Sequence, residues 1–249
     1  MPSLGSHLAT ARILADRLAH TSIDADRGSF YMGATAPDIR VLTRRDRIET
    51  HFFSLDRFES QDAIAIMFDQ HPGLSDAVTL DVPTRAFMAG FLTHLVMDQQ
   101  YIERVYRLYF GAAVWKDDPS RGNVLDRVLQ YEMDRRAREQ TAVMGDVRDV
   151  LTDDSAAASI EFIEAETLGR WVEVVRDVTS QPATWDRFPR MISNHLKRAG
   201  YSEDEIKDFS RDVPQILAET MDHVTEVTVS EFLTETVDRS LERLREYLK

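Results

Sequence analysis

One stretch constrains this chain more than any other. Residues 84–110 read as a long apolar helix carrying His94 and Asp98 four positions apart. That spacing stacks an imidazole and a carboxylate on one helical face. Phe87, Met88, Phe91, Leu92, Leu95, Val96 and Met97 surround the pair, so both polar groups read as buried. A buried carboxylate needs a compensating charge or hydrogen bonds. A divalent metal supplies the charge directly, and a hydrogen-bonded core pair is the alternative.

The rest of the chain also reads as helix. Residues 5–20 carry Leu8, Ala11, Leu14, Ala15 and Leu18 at helical period, with Ser6 as a plausible N-cap. Residues 28–55 look irregular, with Gly28, Gly33, Pro37 and the charged run Arg44-Arg45-Asp46-Arg47. A short helix over 57–70 stops at His71-Pro72-Gly73. Further amphipathic helices are expected over 122–145, 155–178, 184–199 and 213–247, separated by Gly145, Thr152–Ser155, Gln181-Pro182 and Gly200. Alternating strand patterns are scarce, and no repeat or linker stands out. The expectation is one all-α domain over residues 1–249, built from roughly eight helices.

Composition narrows the chemistry. The 249 residues carry a net charge of −13, which argues against broad nucleic-acid or anionic-membrane binding. There are no cysteines, so any metal must be held by His, Asp, Glu and water. No uncharged stretch is long enough to span a membrane, and the first residues lack a signal-peptide pattern, so a cytoplasmic protein is expected.

Three more polar residues in the first half suit a metal. His7 lies in the first turn of the first helix. Asp38 follows Pro37 in a segment expected to be extended, because the residue before proline is pushed out of the helical region. His51 precedes Phe52 and Phe53. Together with His94 and Asp98 they make a set of three His and two Asp. That set suits Zn²⁺, with Mn²⁺ and Fe²⁺ also fitting.

The order of these residues carries a resemblance. An early helix His7, G-A-x-A-P-D-I at 33–39, T-H-F at 50–52 and G-[FY]-L-[ST]-H-x-x-x-D at 90–98 follow one another over roughly residues 5–110. This pattern resembles the zinc-dependent phospholipase C family, whose all-α fold is shared with the S1/P1-type nucleases. The resemblance implies that Asp38, His51, His94 and Asp98 hold one metal. Asp98 would bridge to a second, held also by His7 and by the chain's amino terminus. It implies phosphodiester hydrolysis, with Asp38 also the general base by analogy.

The chain departs from the pattern downstream. The family's third-metal histidine and its His-x-x-x-Glu pair have no counterpart after Asp98, leaving Glu103, Glu132 and Asp134 as the nearest carboxylate substitutes. One or two metals are therefore expected.

Other polar and aromatic residues have plainer readings. Tyr31, Phe52 and Phe53 flank ligands and suit a substrate pocket. His20 suits a helix C-terminus, His71 a loop, His195 a surface turn, and His223 with Glu226 a structural pair on the last helix. Phe110, Trp115, Trp171 and Trp185 read as packing. The arginine run reads as a solvated loop, with steering of an anionic substrate as the alternative.

The leading expectation is a metal-dependent hydrolase of a small phosphodiester or phospholipid-like phosphoester. Two alternatives remain: a metal-binding or structural protein that has lost the activity, and a helical interaction module whose acidic last helix docks a partner or a second copy.

Overall fold

Gly33 and Gly90 set the centre of the fold. A Cβ on Gly33 would run into the Phe87 carbonyl oxygen, and one on Gly90 into that of Phe30. Each glycine lets the opposing backbone close in, so two helices cross at near contact. The computed structural model describes residues 2–55, 57, 59, 61–198 and 201–249. It is all-helical, with no strand among the described residues.

The first half holds α1 (Leu4–Leu18), α2 (Thr21–Ala25), α3 (Arg27–Thr35), a 3-10 turn (Ala36–Ile39), α4 (Arg40–Thr43), α5 (Ile48–His51) and α6 (Ala63–Gln70). The central helix α7 (Val82–Tyr101) continues as a π-helical stretch, Ile102–Phe110. Then come α8 (Pro119–Glu139), α9 (Thr141–Val150), α10 (Ala165–Ser180), α11 (Phe188–Arg198), α12 (Glu203–Arg211), α13 (Val213–Val224) and α14 (Glu226–Tyr247).

Several expectations are corrected. Residues 28–55 are largely helical. Asp26 caps α3 by accepting from Ser29 N at 2.9 Å, and the glycines that suggested a loop are packing contacts. The segment before Asp38 is a 3-10 turn rather than extended chain. α1 begins after Ser3, so Ser6 lies inside it. α6 starts only at Ala63, where Asp62 accepts from the Ile64 and Ala65 amides. The 122–145 helix is two helices broken at Gln140, and the 155–178 helix begins at Ala165.

Residues 203–211 form the unforeseen α12, with Glu203, Asp204 and Glu205 in its first turn, where acidic side chains favour a helix start. The last helix breaks at Thr225, which adopts a left-handed φ of 58° and caps Thr228. Gly200 lies outside the described residues.

Two apolar clusters form the core. The first joins α1, α3, α7 and α10 to the end of α14, around Phe30, Phe87, Phe91 and Trp171. The second gathers the end of α7, its π-helical continuation, α8 and α11–α14 around Tyr101, Phe110, Phe188 and Phe232. α14 buries Val229, Phe232, Val237, Leu241 and Leu244 and packs on α7 and α1, so it is a core element. No helix among the described residues is long and apolar enough to cross a membrane.

Candidate metal centre

Four elements of the first half meet at one point. α7 contributes His94 and Asp98, α1 His7, the 3-10 turn Asp38, and α5 His51. The structure thus gathers all five residues singled out in the sequence. Four are almost wholly buried. Asp38 alone is appreciably open to solvent, with 27% of its side chain exposed.

Asp98 is the hub. Its Oδ2 lies 3.4 Å from His94 Nε2 and 3.3 Å from His51 Nε2, and its Oδ1 lies 3.5 Å from His7 Nε2. His51 Nε2 is also 3.6 Å from Asp38 Oδ1. The donor atoms of His7, His94 and Asp98 lie within 4.8 Å of one another, as do those of Asp38, His51 and His94.

The far nitrogens fix the tautomers. His94 Nδ1 lies 2.9 Å from the Ala34 carbonyl oxygen, which can only accept, so Nδ1 carries the proton. His51 Nδ1 lies 3.1 Å from Thr50 Oγ1. The Thr50 hydroxyl donates its one hydrogen to Pro37 O at 2.8 Å, so it accepts from His51 Nδ1. Both rings therefore present an Nε2 lone pair to a carboxylate when neutral. Lone pairs facing a carboxylate repel unless a cation lies among them.

The spacings can be set against those of hydrogen bonds and of metal ligands. A charge-assisted hydrogen bond of this kind runs about 2.7–2.9 Å. Nitrogen and oxygen ligands about 2.0–2.1 Å from a tetrahedral zinc lie about 3.3–3.4 Å apart. The observed separations match the second pattern. His7 Nε2, His51 Nε2, His94 Nε2 and Asp98 Oδ1 also lack any hydrogen-bond partner despite being buried. The residues present therefore fit a divalent metal.

Electrostatics agree. His7 stacks on His94 with ring centroids 3.7 Å apart. Burial pushes the His7 pKa down, and the neighbouring His94 pushes it further. Burial raises Asp98, but His94 and the contacts to His51 and His7, when those rings carry a proton at Nε2, outweigh it and hold it well below the usual carboxylate range. Asp38 also meets a burial penalty, outweighed by His51 and His94, which bring it to about 2.

Arg47 was not anticipated. Its Nη2 donates to Asp98 Oδ2 at 3.0 Å, its Nη1 donates to Phe53 O at 3.2 Å, and its guanidinium lies 4.2 Å over the Phe53 ring. The run 44–47 is thus not uniformly solvated: Arg44 and Arg45 are exposed, while Arg47 turns inward. The usable signal is its spacing, since Arg47 and His51 are four apart and one helical turn puts them on the same side.

The substitute carboxylates lie elsewhere. Glu103 accepts from Gln99, Glu132 from Arg135 and Arg136, and Asp134 from Arg138 and the Gly5 amide. Tyr31, Phe52 and Phe53 are buried in the first core cluster, Phe53 beneath the Arg47 guanidinium. His20 caps the start of α2, accepting from Ser22 N, rather than closing α1. His71 ends α6 and faces Glu161. His223 and Glu226 fall on separate helices, His223 bonding Tyr109 O and Glu226 bonding Arg136. Trp171 is buried and donates to Thr35, while Trp115 and Trp185 pack between helices. Met1 lies outside the described residues, as does the side chain of His195.

Compared with profiles of known protein families, with curated proteins and with solved structures, the chain matches none. The phospholipase C resemblance therefore rests on the sequence motifs alone.

Proposed function

We propose that His7, Asp38, His51, His94 and Asp98 hold one or two divalent ions, zinc foremost, and that this centre hydrolyses a small phosphodiester or phospholipid-like phosphoester. The observation that carries the reading is the convergence of three buried imidazole Nε2 atoms, none with a hydrogen-bond partner, on the Asp98 carboxylate. The motif order at 33–39, 50–52 and 90–98 supports the choice of reaction.

A bound divalent ion supplies an acidified water and positive charge for the phosphoryl oxygens. The chain supplies the rest. Asp98 presents one oxygen towards His7 and the other towards His51 and His94, as a shared carboxylate would. Ala34 and Thr50 hold the His94 and His51 rings at their Nδ1 atoms, the outer-sphere support that fixes ring orientation in metal sites. Asp38, the exposed member, meets whatever enters; by the resemblance it would also take the proton of the attacking water.

The test is the metal content of protein purified without chelators or added salts, paired with turnover of bis(p-nitrophenyl) phosphate. One or two zinc ions per chain with turnover supports the proposal. A chain that binds no zinc, even on titration, ends it. A second reading keeps the metal and drops the hydrolysis, favoured by the near-complete burial of four of the five residues. Stoichiometric metal without turnover would select it.

A further inference from the structure

We propose that Arg47 adapts this centre to an anionic ligand, holding a fixed positive charge against Asp98 at the expense of metal affinity; the inference rests on the metal reading above. Besides the bond to Asp98, at least two contacts among the described residues hold the guanidinium in place. Nη1 donates to Phe53 O, and the guanidinium face lies on the Phe53 ring. The charge therefore stays where it is whatever else Asp98 binds.

The placement is built into the ligand-bearing helix. Arg47 O accepts the His51 amide at 2.9 Å, so the turn that delivers His51 also delivers the arginine. Only 12% of the side chain is exposed, so solvent screens the charge weakly. A carboxylate oxygen has two lone-pair directions, so Asp98 Oδ2 can accept from Nη2 and still offer a pair to a cation.

A charge count gives the consequence. Asp38 and Asp98 carry −2, and with a single divalent ion against neutral histidines, the case taken here, the centre comes to zero. Arg47 makes it +1. A neutral centre has no net pull on a phosphate, and the chain around it carries −13. A centre at +1 attracts an oxyanion, while the same charge repels the metal.

That opposition separates the proposal from the plain structural role. If Arg47 only orients Asp98, removing it weakens metal binding. If it acts through its charge, removing it strengthens metal binding and weakens phosphate binding. The experiment measures Zn²⁺ affinity by competition with a chelating dye for wild type, Arg47→Gln and Arg47→Lys. Inorganic phosphate binding is then measured by calorimetry on each zinc-loaded protein freed of excess zinc.

Arg47→Gln is expected to hold Zn²⁺ at least as tightly as wild type and to bind phosphate at least about tenfold more weakly, since charges this close interact by several kcal/mol even at high effective dielectric. Arg47→Lys, which keeps the charge, is expected to recover most of the phosphate affinity. Should Arg47→Gln fail to fold, Arg47→Met keeps an apolar stem on Phe53 and carries the same comparison. Weaker Zn²⁺ binding in the neutral variant, or unchanged phosphate binding, overturns the proposal. Failure of the wild type to bind zinc overturns the metal reading instead.

Discussion

Buried carboxylates occur in both halves of this protein, and the two halves treat them differently. In the second half each is met by donors at hydrogen-bond distance. Asp126 accepts from Tyr101 at 2.7 Å and Gln130 at 2.6 Å. Glu132 accepts from Arg135 and Arg136, each at 2.7 Å, and Asp134 from Arg138 at 2.7 Å and the Gly5 amide at 2.8 Å. In the first half, Asp98 faces three imidazole nitrogens at 3.3–3.5 Å, and of its partners only Arg47 approaches to 3.0 Å. Satisfied carboxylates are scaffolding. Asp98 Oδ1 has no hydrogen-bond partner, and a buried polar group kept unpaired costs stability unless something else fills it, the place the proposed function gives to a metal.

Breaking the contrast at its strongest point gives the largest effect. Asp98→Asn removes the shared charge but keeps the shape. It should lower Zn²⁺ affinity by at least about 100-fold, because even outer-sphere changes cost 10–100-fold. Circular dichroism should show the helices unchanged. Full metal stoichiometry in the variant would put Asp98 outside the centre. The matching change in the second half is Asp134→Ala, which strands Arg138 and the Gly5 amide. Both side chains of that pair are at most 10% exposed, and breaking a buried pair costs about 3–5 kcal/mol. Urea unfolding of the metal-free protein should show that loss. A midpoint within error of wild type would mean that the pair is not structural.

The α3–α7 contact ties fold to site. Gly33→Ala places a methyl against the Phe87 carbonyl and should separate the two helices, at about 1–3 kcal/mol for overpacking. α3 also supplies the Ala34 oxygen that orients His94, so metal affinity should fall with stability. A variant that loses stability but keeps metal affinity would show that the ring is held without that bond.

How much of this was legible depended on whether the signal was local. His94 and Asp98 are one helical turn apart, so their shared face follows from spacing alone. His7, Asp38 and His51 come to that face from three other elements, and only their order along the chain suggested it. The α3 helix was hidden because Gly28 and Gly33 look like breakers. A glycine chosen for close approach and one chosen for a turn are the same letter, and only the opposing backbone tells them apart. Arg47 was hidden because it sits in a run with Arg44 and Arg45, and its four-residue spacing from His51 counts only once residues 48–51 are known to be helical. The break at Thr225 was hidden because threonine rarely adopts a left-handed φ, so nothing in the sequence marks a helix end there.

The smallest expected effect concerns pH and again separates the halves. Burial raises the Glu132 pKa, but hydrogen bonds from Arg135 and Arg136 outweigh it, so the folded value lies below the ordinary one. A carboxylate depressed in the folded state contributes stability above its unfolded pKa and loses it as pH falls through the folded value. Metal-free protein should therefore lose part of its stability below the ordinary glutamate range. Glu132→Gln should be less stable at neutral pH but show a shallower acid slope, since the variant has no proton to take up at that position. Chemical denaturation at several pH values between neutral and acid reads both quantities. Identical acid slopes would mean that the arginine pairs around Glu132 are too well hydrated to contribute, leaving the acid sensitivity to the histidine-ringed carboxylates of the first half.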